Sequence, residues 1–142
     1  GQLRLAFAGH ALALKTELST RENLQFFARL AGLQGMVDDT LEAAGLGACA
    51  DLEVRLLSAG QRRRANLARV LLSGADLWLL DEPQTNLDSD GREFLAESVR
   101  GHLSRGGTAA IAARHPRQKR EETRQPLALG NADVGHLVLG DS

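Results

Sequence analysis

LSAGQRRRANLARVLLSGADLWLLDEPQTNLD, residues Leu57 to Asp88, sets a capped helix start, a basic helix, a short apolar strand and an acidic pair in one continuous run. The Ser58-Ala59-Gly60 turn can open a helix, because a serine hydroxyl accepts hydrogen bonds from the first free amides. The apolar line of that helix is Ala65, Ala68, Leu71 and Leu72, and Gly74 closes it. Leu77 to Leu80 is continuously apolar, as a strand buried on both faces of a parallel sheet requires. Asp81 and Glu82 follow at its carboxyl end, where open α/β sheets present their ligand crevice. From Asp88 to Ser104, Leu95, Val99 and Leu103 recur at helical spacing, Gly106-Gly107 ends the helix, and TAAIAA (Thr108 to Ala113) is the next strand. Strand, helix and strand in short succession imply a right-handed crossover and an α/β fold.

Toward the N-terminus, Leu3 to Ala8 (LRLAFA) alternates as a strand before Gly9. Ser19-Thr20-Arg21-Glu22 has capping-box spacing, so a helix is predicted to start there, with Leu24, Phe27, Ala28 and Ala31 on one face and Gly32 and Gly35 at its end. A second helix is predicted from Val37 to Ala44, stopped by Gly45. Gly9 to Thr16 nearly matches the phosphate loop G-x-x-x-x-G-K-[ST], but Leu14 stands where glycine is needed, and the helix starts only at Ser19. No other lysine in the chain precedes serine or threonine. Toward the C-terminus, RHPRQKREETRQ reads as a solvated helix or loop, and LALG and HLVLG as two short strands.

The 142 residues carry a net charge of −1, which gives no field favouring nucleic acid. Arg62, Arg63 and Arg64 are consecutive on a helix and spread around it, so they form no flat basic patch; at least one is expected to pair with a neighbouring acid. The lone Cys49 forms no internal disulfide and points to a reducing compartment. No apolar run approaches the roughly 20 residues of a membrane span, so membrane association would come through partners. The chain opens in mid-pattern at Gly1 and reads as the C-terminal part of a larger domain.

The chemistry concentrates in the quoted stretch. Asp81 would hold Mg²⁺ through water, since that ion keeps much of its hydration, and Glu82 would orient or deprotonate an attacking water. Alone, an apolar run followed by Asp-Glu equally ends a strand in a turn. Ser58 and Gly60 would set free amides and a positive dipole end toward an anion, with Gln61 adding a side-chain donor. Alone, that is an ordinary capped helix. His115, after the TAAIAA strand, would bond a γ-phosphate as a neutral imidazole; a histidine there is equally a structural one. The joint spacing of these pieces decides between the readings.

That spacing resembles the signature-to-Walker-B region of ATP-binding-cassette (ABC) ATPases. AGHALALKTELSTRENLQFFARL, LSAGQRRR and SGADLWLLDEPQTNLD are similar to the ATP-binding subunits of the heme exporters of bacterial cytochrome c maturation. The resemblance covers about residues 3 to 115 and implies an α/β fold, a partial P-loop NTPase parallel sheet flanked by helices with an inserted helical subdomain. Residues 1–16 would be the end of the N-terminal core and the Q-loop region, 17–57 the helical subdomain, and 58–142 the C-terminal half of the nucleotide-binding core.

The same resemblance assigns roles. Ser58, Gly60 and Gln61 would contact ATP held by an opposing subunit, Asp81 would be the Walker-B aspartate that serves Mg²⁺, and Glu82 the catalytic glutamate. Asp88 would be the D-loop aspartate and His115 the switch histidine. It implies a homodimer of nucleotide-binding subunits on integral membrane partners, at the cytoplasmic face of the bacterial inner membrane, with ATP hydrolysis coupled to heme handling. Two other functions compete: a soluble, non-transport ABC ATPase, against which the near-neutral charge and lack of heptads argue, and a non-catalytic partner that lends its signature helix. Departures from the family pattern are the missing phosphate loop, Gly9-His10-Ala11 where a glutamine is usual, Arg114 before His115, and the charged tail. Without the loop the isolated chain is expected to lack ATPase activity, and its incomplete sheet to expose apolar edge.

Overall fold

The computed structural model describes residues 3–9 and 11–112. His10, Arg114, His115 and the two strands expected in the tail lie outside the described residues. Among those described, the order is β1 (Leu5–Ala8), α1 (Thr20–Ala31), α2 (Val37–Ala43), α3 (Ala59–Leu71), β2 (Leu77–Asp81), α4 (Ser89–Ser104) and β3 (Thr108–Ala112), with short 3₁₀ turns between α1 and α3.

Local chemistry explains the boundaries. Ser19 caps α1 by accepting from the Glu22 amide at 3.0 Å, while the Glu22 carboxylate accepts from the Ser19 amide at 3.2 Å. Gly32 ends the helix in the left-handed region at φ 73°, which glycine adopts without a Cβ penalty. Asp88 caps α4 by accepting from the Gly91 amide at 2.8 Å. The glycine that was expected to close α3, Gly74, instead turns the chain two residues beyond the Leu72 cap, at φ 65°.

The three strands form a parallel sheet in the order β1-β2-β3. Leu5 pairs with Leu77 and Leu77 with Thr108, and the register holds to Asp81 and Ala112. Ala6, Ala8, Trp78, Leu80, Ala109 and Ile111 form one face, buried against α3 and α4. The expectation of two covered faces is corrected here. Leu5 is 58% and Phe7 56% exposed, and Leu77 and Leu79 are only half-buried, so among the described residues the helices cover one side alone. Continuous apolarity in LWLL does not reveal whether anything packs on its second face.

One apolar cluster runs from the sheet through Ala65, Ala68 and Leu72 of the α3 region into Leu24, Ala28, Leu41, Leu46 and Val54. Asn23, 3% exposed, organises the loop before α1. It accepts from the Lys15 amide at 2.8 Å and donates to the carbonyls of Lys15 and Ser19, both at 2.9 Å. Lys15 therefore lies in a folded loop beside buried Leu14, not at a helix start, and the near-match to a phosphate loop is set aside on geometry too. No described helix is long and apolar enough to cross a membrane.

Candidate functional site

β2 brings two carboxylates to the carboxyl end of the central strand. Asp81 shares the face of Leu77 and Leu79, the side the helices leave open, and is half-buried there. Glu82 extends the pairing by one residue, its amide donating to the Ala112 carbonyl at 2.7 Å. Its φ is +48°, a left-handed conformation in a residue with a side chain. Such a backbone costs about 1–3 kcal/mol and persists only where its surroundings fix it. Pro83, fully buried, fixes one side. Three residues on, Asn86 takes φ 65°, a conformation asparagine tolerates better than most.

The start of α3 lies against this loop. Ser58 Oγ accepts from the Gln61 amide at 3.1 Å, and Gln61 Oε1 accepts from the Ser58 amide at 2.9 Å, a complete capping box. The Gln61 carbonyl oxygen is thus engaged within its helix, and its NH₂ end is the part suited to an outside acceptor. Gly60 has a reason the sequence did not supply. A Cβ there would sit 2.9 Å from the Asn86 carbonyl oxygen, so only glycine lets the helix start and the loop after β2 approach this closely.

The three arginines each fasten the chain. Arg62 donates to the carbonyls of Val54 and Arg55 at 3.3 and 2.7 Å. Arg64 reaches the Asp88 carboxylate at 3.4 Å, the expected pairing with an acid. Arg63 donates to the carbonyls of Glu82 at 2.9 Å, Gly9 at 3.1 Å and Thr85 at 3.3 Å. Burial lowers the Arg63 pKa from its usual value, while the charges of Asp81 and Glu82 act in the opposite sense. Arg63 is the one of the three that reaches the main chain of the acidic pair's own loop, which their even spread around the helix did not foretell. The missed signal is tertiary: a three-carbonyl socket built from distant segments leaves no spacing to read.

Of the residues singled out in the sequence, Ser58, Gly60, Gln61, Asp81, Glu82 and Asp88 all lie on the α3 start, the β2 end or the loop joining β2 to α4. His115 lies outside the described residues. A cleft of about 240 Å³ opens between Gly9, the first turns of α3 and Thr85-Asn86. No group of three or more potential metal ligands occurs among the described residues. One half-buried carboxylate at a strand end suits Mg²⁺, which dehydrates reluctantly and is held by one or two carboxylates with phosphates and waters. A helix start with a capped, glycine-flanked first turn suits an anion.

Comparisons with known proteins agree with this architecture. The family described as ABC transporter matches residues 2–85. The chain is 46% identical over 109 residues to the cytochrome c biogenesis ATP-binding export protein CcmA of Ruegeria pomeroyi, covering 77% of this chain and 53% of that protein. It is 48% identical over 113 residues to the protein of the same name from Xanthomonas oryzae pv. oryzae, covering 78% of this chain and 52% of the other. The chain spans about half the length of the curated relatives it matches. Among solved structures, a dimeric, post-hydrolysis ATP-binding cassette bound to ADP and phosphate aligns with a TM-score of 0.70 at 21% identity, over 80% of this chain and 53% of that one.

Proposed function

Because this chain belongs to the ABC transporter family, we propose that it is part of an ATP-binding and hydrolysing subunit of an exporter serving cytochrome c biogenesis, the heme exporter its sequence resembles. The observation that supports this most is the meeting of Asp81 and Glu82 at the end of the central parallel strand with the capped start of α3.

In this reading Asp81 orients the water shell of Mg²⁺, which when bound supplies positive charge to the β- and γ-phosphates. Glu82 holds the attacking water and accepts its proton. Ser58, Gly60 and the side-chain NH₂ of Gln61 donate to ATP carried by a second subunit, so the working unit is a homodimer with two shared sites. Asp88 lines the same seam, and His115 bonds the γ-phosphate. Residues 17–57 form the helical subdomain that meets the membrane subunits, on the cytoplasmic face of the inner membrane. The phosphate grip comes from a glycine–lysine loop that these 142 residues do not contain, so the chain alone does not turn over ATP.

The test uses the complete subunit with its membrane partners. Glu82→Gln is expected to abolish hydrolysis while ATP binding and ATP-driven dimerisation persist; hydrolysis at the unsubstituted rate would overturn the assignment. A second reading is a non-catalytic partner that lends its signature helix to another cassette. It would be supported if the complete protein also failed to bind ATP.

A further inference from the structure

We propose that Arg63 is a positioning residue for the hydrolytic centre, a clamp that fastens the Glu82 main chain to the first turns of α3, so that engagement of that helix with nucleotide and placement of the Glu82 carboxylate become one event. The inference rests on the functional reading above and adds a residue to it.

Three observations support it. First, Nη2, Nη1 and Nε of one guanidinium donate to the carbonyls of Glu82, Gly9 and Thr85 at 2.9, 3.1 and 3.3 Å, groups that lie 19, 54 and 22 positions away in sequence. A planar fork of fixed donors can hold three carbonyls in one arrangement; an ammonium on a flexible stem cannot hold the same three. Second, the carbonyl it holds most closely belongs to the residue at φ +48°, whose neighbour Pro83 is fully buried. The Glu82 main chain is thus held at its amide by Ala112 and at its carbonyl by Arg63, beside a buried proline. Third, Gly60, three residues before Arg63, lies so close to the same loop that a Cβ there would sit 2.9 Å from the Asn86 carbonyl oxygen. The helix start and the loop therefore touch at two points and cannot shift independently.

The consequence is specific to chemistry and not to affinity. A displaced Glu82 carboxylate would misalign the attacking water, and a misplacement of about 1 Å can cost roughly 100-fold in rate. The ATP contacts proposed for Ser58, Gly60 and Gln61 would remain. In the complete subunit, Arg63→Gln is expected to lower kcat by about 10- to 100-fold with KM for ATP changed less than about twofold, rates being normalised to bound nucleotide. Arg63→Lys, which keeps the charge and reaches fewer carbonyls, is expected to recover part of the loss. Amide hydrogen exchange should rise at residues 82–87 in Arg63→Gln and remain unchanged along α4.

An unchanged kcat in Arg63→Gln, or a loss fully accounted for by lost nucleotide binding, would overturn the proposal. Glu82→Gln run alongside separates the two readings. If Glu82→Gln is inactive and Arg63→Gln fully active, the clamp alone fails; if Glu82→Gln keeps its rate, the hydrolytic assignment falls and takes the clamp with it.

Discussion

His102 illustrates how a single side chain can carry chemistry that no motif announces. It is 6% exposed, and its ring stacks on Trp78 at 3.9 Å with the planes 8° apart. Nε2 lies 3.0 Å from the Thr108 carbonyl and 3.1 Å from that of Asp76, so the tautomer consistent with both acceptors carries its proton on Nε2. A Cβ on Gly107 would lie 2.2 Å from the ring, so position 107 admits only glycine beside it. Burial lowers the His102 pKa, outweighing the two carbonyl bonds that raise it. The sign follows directly. The unfolded chain takes up a proton near the usual 6.5 while the native state resists it, so this contribution to stability is complete above that pH and is lost as pH falls through the lowered native value. Urea midpoints of the chain should therefore decline below about pH 6.5, and His102→Gln should decline less steeply over the same interval. Parallel slopes for both proteins would count against the assignment.

At the scale of elements, α3 joins stability to proposed function through its cap. Ser58→Ala removes the acceptor for the Gln61 amide and should cost about 0.5–2 kcal/mol, read as a lower denaturant midpoint. Ser58→Asp restores an acceptor and suits the positive helix end, but puts negative charge where a phosphate would approach. It should keep the midpoint, and in the complete subunit lose ATP-driven dimerisation. If Ser58→Asp dimerised normally, the anion role of this helix start would be discarded. The starts of α1 and α3 were legible because their signals are local, Ser19 with Glu22 and the serine at Ser58; the Gln61 half of the second box and the Asp88 cap of α4, local too, emerged only with the structure. What escaped was contact across the fold. Asn23 locking the Lys15 loop, Gly60 against Asn86, and Arg63 in its socket each join segments whose proximity no periodicity encodes.

At the scale of the whole fold, the deciding feature is a sheet that the described residues cover on one side. The LWLL run read as doubly buried because its four residues are all apolar, yet burial alternates along β2 and the second face stays open among the described residues. Exposed Leu5 and Phe7 extend that face, with Leu3 at 74% exposure beside them. The isolated chain should therefore self-associate at micromolar concentration, as contiguous apolar surface tends to do. Light scattering after size exclusion should report assemblies for the native sequence and a shift toward monomer for Leu5→Ser with Phe7→Ser; a monodisperse native monomer would refute this.

The parallel ladder also imposes an order in time. Arg4 and Asp76 are 72 positions apart yet bonded, and Leu5 pairs with Leu77. A ribosome adding about 5–20 residues per second reaches the second strand several seconds after releasing the first. Throughout that wait the LRLAFA segment lacks the β2 partner it pairs with here, so this ladder can close only once Leu77–Asp81 has left the ribosome.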